Sequence, residues 1–166
     1  MLSGVGPGAH LQAMGIPVLH DLPGVGQALH DHVDVVQVVD APKATDLFGL
    51  SLVGVRNAIS GMLEWRRHRS GTLTTNFAEA GGFIRSSPEQ AAPDLQLHFV
   101  IGKLIDHGRK PSFGHGYSCH VCLLRPKSRG SLTLASNNPL DAPLINPNFL
   151  GEREDMDHMI RGFKIM

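Results

Sequence analysis

Several groups of residues have types and spacings that could do chemistry. Gly4-Val5-Gly6-Pro7-Gly8-Ala9 has the G-x-G-x-x-G/A spacing with which a loop lifts a dinucleotide pyrophosphate onto a helix N-terminus, and Asp21 lies where a ribose-binding acid would be sought. No strand pattern precedes this loop, so it reads as a helix-entry turn. Cys119-His120-Val121-Cys122, with His115 nearby, has the letters of a metal or redox site. On an alternating strand, residues three apart face opposite ways, so the two thiols read as packed strand residues. His30 and His32 share a face at i, i+2, but no third ligand accompanies them, and no metal is assigned. Glu79 is an acid among the small residues of Thr74 to Gly82, either a solvated loop carboxylate or a group facing a ligand. Arg125-Pro126-Lys127-Ser128-Arg129-Gly130 reads as a structural basic turn whose guanidinium groups reach carboxylates or carbonyls. No Gly-x-Ser-x-Gly or P-loop appears.

The elements that must position these residues are well punctuated. A short helix over residues 8 to 14 ends at Gly15, and the turn Leu22-Pro23-Gly24-Val25-Gly26 follows. Val33 to Val39 alternates as a strand buried on at least one side. Leu52, Val55, Ile59, Met62 and Leu63 recur at helical spacing, Arg66, Arg67 and Arg69 suit the negative end of that helix, and Gly71 closes it. Gly81 to Arg85, Asp94 to Val100, Tyr117 to Leu124 and Ser131 to Ala135 alternate and predict one antiparallel sheet. The insert Gly102 to Gly116 is too long for a tight hairpin and has the length of a functional lid. Met156, Met159, Ile160 and Phe163 mark an amphipathic helix still running at Met166, and together with the loop at Ser3 this suggests a chain cut at both ends. The fold class is α+β.

Composition narrows the function classes. Fifteen Lys+Arg balance fifteen Asp+Glu among 166 residues, which leaves no basic field for a nucleic-acid backbone. The longest nearly apolar run, Leu47 to Val55, falls far short of the roughly 20 residues a spanning helix needs. With two cysteines and no secretory pattern the expected setting is cytoplasmic, with membrane association left open.

Family wording extends this reading. Leu2-Ser3-Gly4-Val5-Gly6-Pro7, Gly15-Ile16-Pro17-Val18, Glu79-Ala80-Gly81-Gly82-Phe83-Ile84-Arg85 and Pro93-Asp94-Leu95-Gln96-Leu97-His98-Phe99 occur in order. Gly114-His115-Gly116-Tyr117, Leu124-Arg125-Pro126-Lys127-Ser128-Arg129-Gly130-Ser131 and Ile145-Asn146-Pro147-Asn148-Phe149-Leu150 continue the series. In this the chain resembles the glucose-methanol-choline (GMC) oxidoreductases, most nearly the choline dehydrogenases and FAD-linked alcohol dehydrogenases.

The resemblance implies the middle of a longer FAD-dependent enzyme that passes hydride from a primary alcohol to the flavin. Residues 1–46 would belong to the FAD-binding domain, residues 47–145 to a substrate domain built on an antiparallel sheet with flanking helices, and residues 146–166 to the return into the FAD domain. The family's FAD fingerprint and catalytic histidine would lie outside this chain, so no catalytic residue is assigned, no cofactor-binding residue is identified, and the chain is expected to be inactive alone. Glu79 would match the acid that faces the ammonium in choline-oxidising relatives, and His98 is a substrate-side candidate from its strand facing. The small-molecule partner would be an alcohol, with the oligomeric state unassigned. Ala28 and His30 depart from the family's usual Asn and Gln near the cofactor side, and one Trp and one Tyr give little aromatic surface for a choline cage. The alternative is a free-standing non-catalytic or metal-binding module that reuses the same sheet.

Overall fold

The computed structural model describes residues 1–166, except for the side chain of His107. The chain forms two compact units, one of Met1–Val33 with Arg125–Asp157 and the other of Asp34–Leu124 with His158–Met166.

In the first unit, β1 (Val5–Gly6), α1 (Gly8–Ala13) and β2 (His20–Asp21) form a small βαβ turn, with β1 and β2 parallel and Val5 opposite His20. β1 lies inside the glycine run that begins at Gly4 and does not precede it, which keeps with the reading of this segment as a helix-entry turn. Leu11 is fully buried beneath α1, and Gly15, at φ +71°, ends the turn in the left-handed region glycine tolerates. β8 (Ser131–Thr133) and β9 (Leu144–Asn146) pair antiparallel in a sheet of their own. The expected membership of residues 131–135 in the main sheet is thus corrected, and the turn before them shows why. Pro126 has no N–H to offer a ladder, and the next two N–H groups, of Lys127 and Ser128, each donate to Asp155 at 2.8 Å. The Ser128 hydroxyl also donates to Asp155 and accepts from the Glu152 N–H, while Arg129 donates to the carbonyls of Pro126 and Ser128. The basic turn is structural. Lys127 Nζ pairs with Glu154 at 2.6 Å, and that hydrogen bond and charge hold its pKa above the ordinary value, although both partners face solvent.

α3 (Arg153–Ile165) begins in the first unit, where Asp155 suits the positive end of the helix, and contributes its C-terminal half to the second.

The second unit is organised on a sheet of order β3-β7-β6-β5, formed by β3 (Val33–Asp40), β5 (Ala78–Ile84), β6 (Leu95–Val100) and β7 (Gly114–Leu123), with β4 (Gly49–Leu50) also paired to β7. β5, β6 and β7 are antiparallel, with Gly81 opposite His98 and His98 opposite His120. One face carries Leu95, Leu97, Val121 and Leu123, and α3 lies so close to it that a Cβ on Gly162 would stand 2.7 Å from Leu95 and 2.8 Å from Val121. At the β5–β6 turn, Asp94 accepts the Ser86 N–H at 2.7 Å and its hydroxyl at 2.6 Å, and His158 of α3 approaches the same carboxylate at 3.3 Å. β3 departs from expectation: as an edge strand it buries only Val33.

α2 (Leu52–His68) starts at Ser51, whose hydroxyl oxygen accepts the Gly54 N–H at 2.9 Å. It ends at Arg69 in the left-handed region, two residues before the expected Gly71, and the Arg69 guanidinium sits 4.3 Å over the Trp65 ring. His115 fixes the entry to α2. Its Nδ1–H donates to the Leu47 carbonyl at 2.8 Å, and its Nε2 accepts the Ser51 hydroxyl at 2.7 Å. Both ring nitrogens are thereby used, so His115 is a structural tie and does not join the cysteines.

Two stability outcomes follow. Asp155→Ala strands three donors beneath α3, and unfolding by urea should show a loss of about 3 kcal/mol. Gly162→Ala should gain up to about 1 kcal/mol of helix propensity and lose about 1–3 kcal/mol to overpacking against Leu95 and Val121, for a net fall in thermal midpoint. A rise would show that α3 does not press on the sheet.

Candidate functional site

The site builds up from the chain entering β5. Phe77 sits at φ +69°, a conformation that strains a bulky side chain, with its N–H bonded to Thr75 Oγ and its ring 4.5 Å from that of Phe48. Immediately after it the β5–β6 register slips between Ala78 and Ala80, leaving Glu79 as the extra residue of a bulge, exposed on the edge strand. Bulges re-aim side chains and often adjoin binding sites. The run of small residues around Glu79 was legible in sequence; the bulge was not.

Beside Phe77 opens a cleft of about 640 Å³ within the second unit. The small and polar side of α2 (Gly54, Asn57, Gly61) makes one wall, the Phe48–Phe77 pair another, and Val100 lines it from β6. The loop after β6 completes it with Lys103 and Leu104, so the insert between β6 and β7 does line a cavity. Lys103 is nearly buried: its ammonium donates to Asp40 at 2.7 Å and to the Phe113 carbonyl, and its stem covers Gly116. Charged residues of the lining are two acids, Asp46 and Glu64, and two lysines, Lys103 and Lys110. They impose no net charge on what the cleft accepts.

Strand pleat connects the cleft to a row of polar groups. Val100 and His98 are two residues apart and share a sheet face, about 7 Å from each other. His98, half-buried, has His120 as its neighbour across the strands, with ring centroids 6.1 Å apart and planes at 87°. Asp34 of β3 accepts from His120 Nδ1 at 2.7 Å. Because a carboxylate accepts, the neutral imidazole keeps its proton on Nδ1 and presents Nε2 as an acceptor. That Nε2 is buried without a hydrogen-bond partner among the described residues.

The structure thus puts Glu79 and His98 on adjacent strands, Glu79 two positions before the glycine that faces His98. Sequence reasoning missed Asp34 and His120 as a pair. His120 was hidden inside the Cys-x-x-Cys letters, and 86 residues separate the two partners. Cys119 pairs with Phe99 and Cys122 with Gln96 in β7, on opposite faces, and no metal-holding cluster of His, Cys, Asp and Glu occurs among the described residues. Asp21, considered for a ribose, instead accepts the Gly8 N–H at 2.8 Å.

Comparison with known proteins agrees with this architecture. The family model for GMC oxidoreductase matches residues 126–166. The sequence is 47% identical over 165 residues to an alcohol dehydrogenase [acceptor] of Pseudomonas putida, covering 99% of this chain and 30% of that protein. It is 42% identical over 157 residues to the mitochondrial choline dehydrogenase of Mus musculus, covering 95% and 26% respectively. A crystal structure of formate oxidase superposes with a TM-score of 0.82 at 26% identity, over 99% of this chain and 33% of the other. The chain spans less than a third of the length of these two curated relatives. The chain thus aligns almost end to end with these two dehydrogenases, shares the fold of the oxidase and, over residues 126–166, matches the GMC oxidoreductase family model.

Proposed function

We propose that the chain is the substrate-side part of an FAD-dependent oxidoreductase that acts on the CH–OH group of a primary alcohol, the flavin of the full-length protein accepting the hydride. The observation that carries this reading is the apolar cleft next to the polar row His98, His120 and Asp34 on one sheet face. An apolar cavity with a few convergent polar groups suits a small amphiphile, holding its alkyl part against Phe48, Phe77 and Val100. The sheet and the paired His120 give that wall a fixed geometry, which is what substrate positioning requires. Balanced lining charges favour a neutral alcohol over a quaternary ammonium.

The residues present do not fit the cofactor's pyrophosphate at the glycine loop. There the first N–H of α1 is already bonded to the Asp21 carboxylate, and a second anion would be repelled. Flavin binding in this proposal falls to other parts of the full-length protein, and the chain alone is inactive.

Two measurements test the reading. The full-length protein should show bound-flavin absorbance and alcohol-dependent dye reduction, and the 166-residue chain neither; a full-length protein without flavin would favour the non-catalytic module. In the full-length enzyme, Glu79→Gln should raise KM for choline about fivefold, the worth of about 1 kcal/mol for an exposed ion pair, and leave KM for a neutral primary alcohol unchanged. Equal KM values for choline in both enzymes would remove Glu79 from the substrate side.

A further inference from the structure

α2 is mounted with its apolar side outward. At about 100° per residue, Gly54, Asn57, Gly61 and Glu64 fall on one side and Leu52, Ile59, Met62 and Leu63 on the other. The first set lines the cleft, and Gly61 is the one buried residue of the helix. The second set is exposed, Leu52 at 91% and Met62 at 62%. This orientation is fixed at both ends of the helix, by the Ser51–His115 tie and by the Arg69 cap. Phe113, bridged to Leu50 beside the helix start, is exposed as well.

Charge says what would cover it. Arg56, Arg66 and Arg67 project on the same side as the apolar stripe, and Arg69 follows at the C-cap. The acid of this helix, Glu64, lies on the cleft side. Three arginines thus accompany the apolar strip, while the rest of the chain holds 12 Lys and Arg against 15 Asp and Glu. No helix among the described residues is long and apolar enough to cross a membrane.

We propose that α2 is an interfacial helix that docks the protein on an anionic phospholipid surface, with Leu52, Ile59, Met62 and Leu63 at the acyl boundary and the arginines among the headgroup phosphates. Apolar insertion and attraction to anionic lipid act together in such helices, and the second is screened by salt. The proposal is independent of which alcohol the cleft accepts.

The test is co-sedimentation of the full-length protein with vesicles of equal phosphatidylglycerol and phosphatidylcholine, and with phosphatidylcholine alone. Wild-type protein should bind the anionic vesicles at least tenfold more than the neutral ones and be released by high salt. Ile59→Glu with Met62→Glu should abolish binding, and Arg66→Gln with Arg67→Gln should weaken it severalfold, with both variants eluting as wild type on size exclusion. Absence of wild-type binding, or equal binding by either variant, overturns the proposal. Loss of soluble protein in the glutamate variant, or a change in its oligomeric state, also overturns it, because the stripe is then covered by protein.

Discussion

One buried carboxylate anchors the turn that leads into the β8–β9 hairpin. Asp155 collects the N–H groups of Lys127 and Ser128 and the Ser128 hydroxyl, and so holds the chain in the turn from which that separate hairpin starts. A carboxylate sealed from water is costly unless its lone pairs are filled, and three donors fill them. The same requirement makes the turn sequence narrow. Pro126 removes a competing donor, Ser128 supplies both an N–H and a hydroxyl, and Arg129 ties the remaining carbonyls. Asp94 solves the parallel problem within the second unit, where Ser86 and His158 satisfy it at the β5–β6 turn. α3 supplies the acceptor in one case and the imidazole in the other.

The sequence was most informative where local periodicity or backbone chemistry decides the outcome. The alternation of Leu95, Leu97 and Phe99 announced β6, and Gly15 announced the end of α1, because both depend on neighbours in the chain. Three features depend on distant partners and were hidden. Ser131 to Thr133 alternates like the other strands, yet its pairing is settled by Asp155, some 22 residues on from Thr133. Val33 to Val39 has the apolar residues of a buried strand but sits at a sheet edge, which β-branched residues populate equally well. His115 and His120 looked alike in sequence; one is tied to Ser51 and Leu47 and the other to Asp34, with an open Nε2.

The candidate residues were legible to a similar degree. Glu79 and His98 could be picked out because their surroundings resemble family wording and because β6 alternates. The bulge that isolates Glu79 needs the register of two strands, and the cleft needs α2 folded against the Lys103 loop. Neither is a property of any short stretch.

The polarity of α2 joins the fold to its use. A helix that covered the sheet would turn Leu52, Ile59, Met62 and Leu63 inward and leave its glycines to solvent. Here the glycines face the cleft, and the reason is space: a Cβ on Gly61 would stand 2.7 Å from Thr72 Oγ1, and one on Gly54 closer still to the Gly49 carbonyl. Small residues let the helix approach the wall while leaving a cavity under its Asn57 side. The apolar residues that recur at helical spacing are then turned outward, with Arg56, Arg66 and Arg67 on the same side. Amphipathic spacing therefore fixed the existence of the helix but not which side the protein would keep.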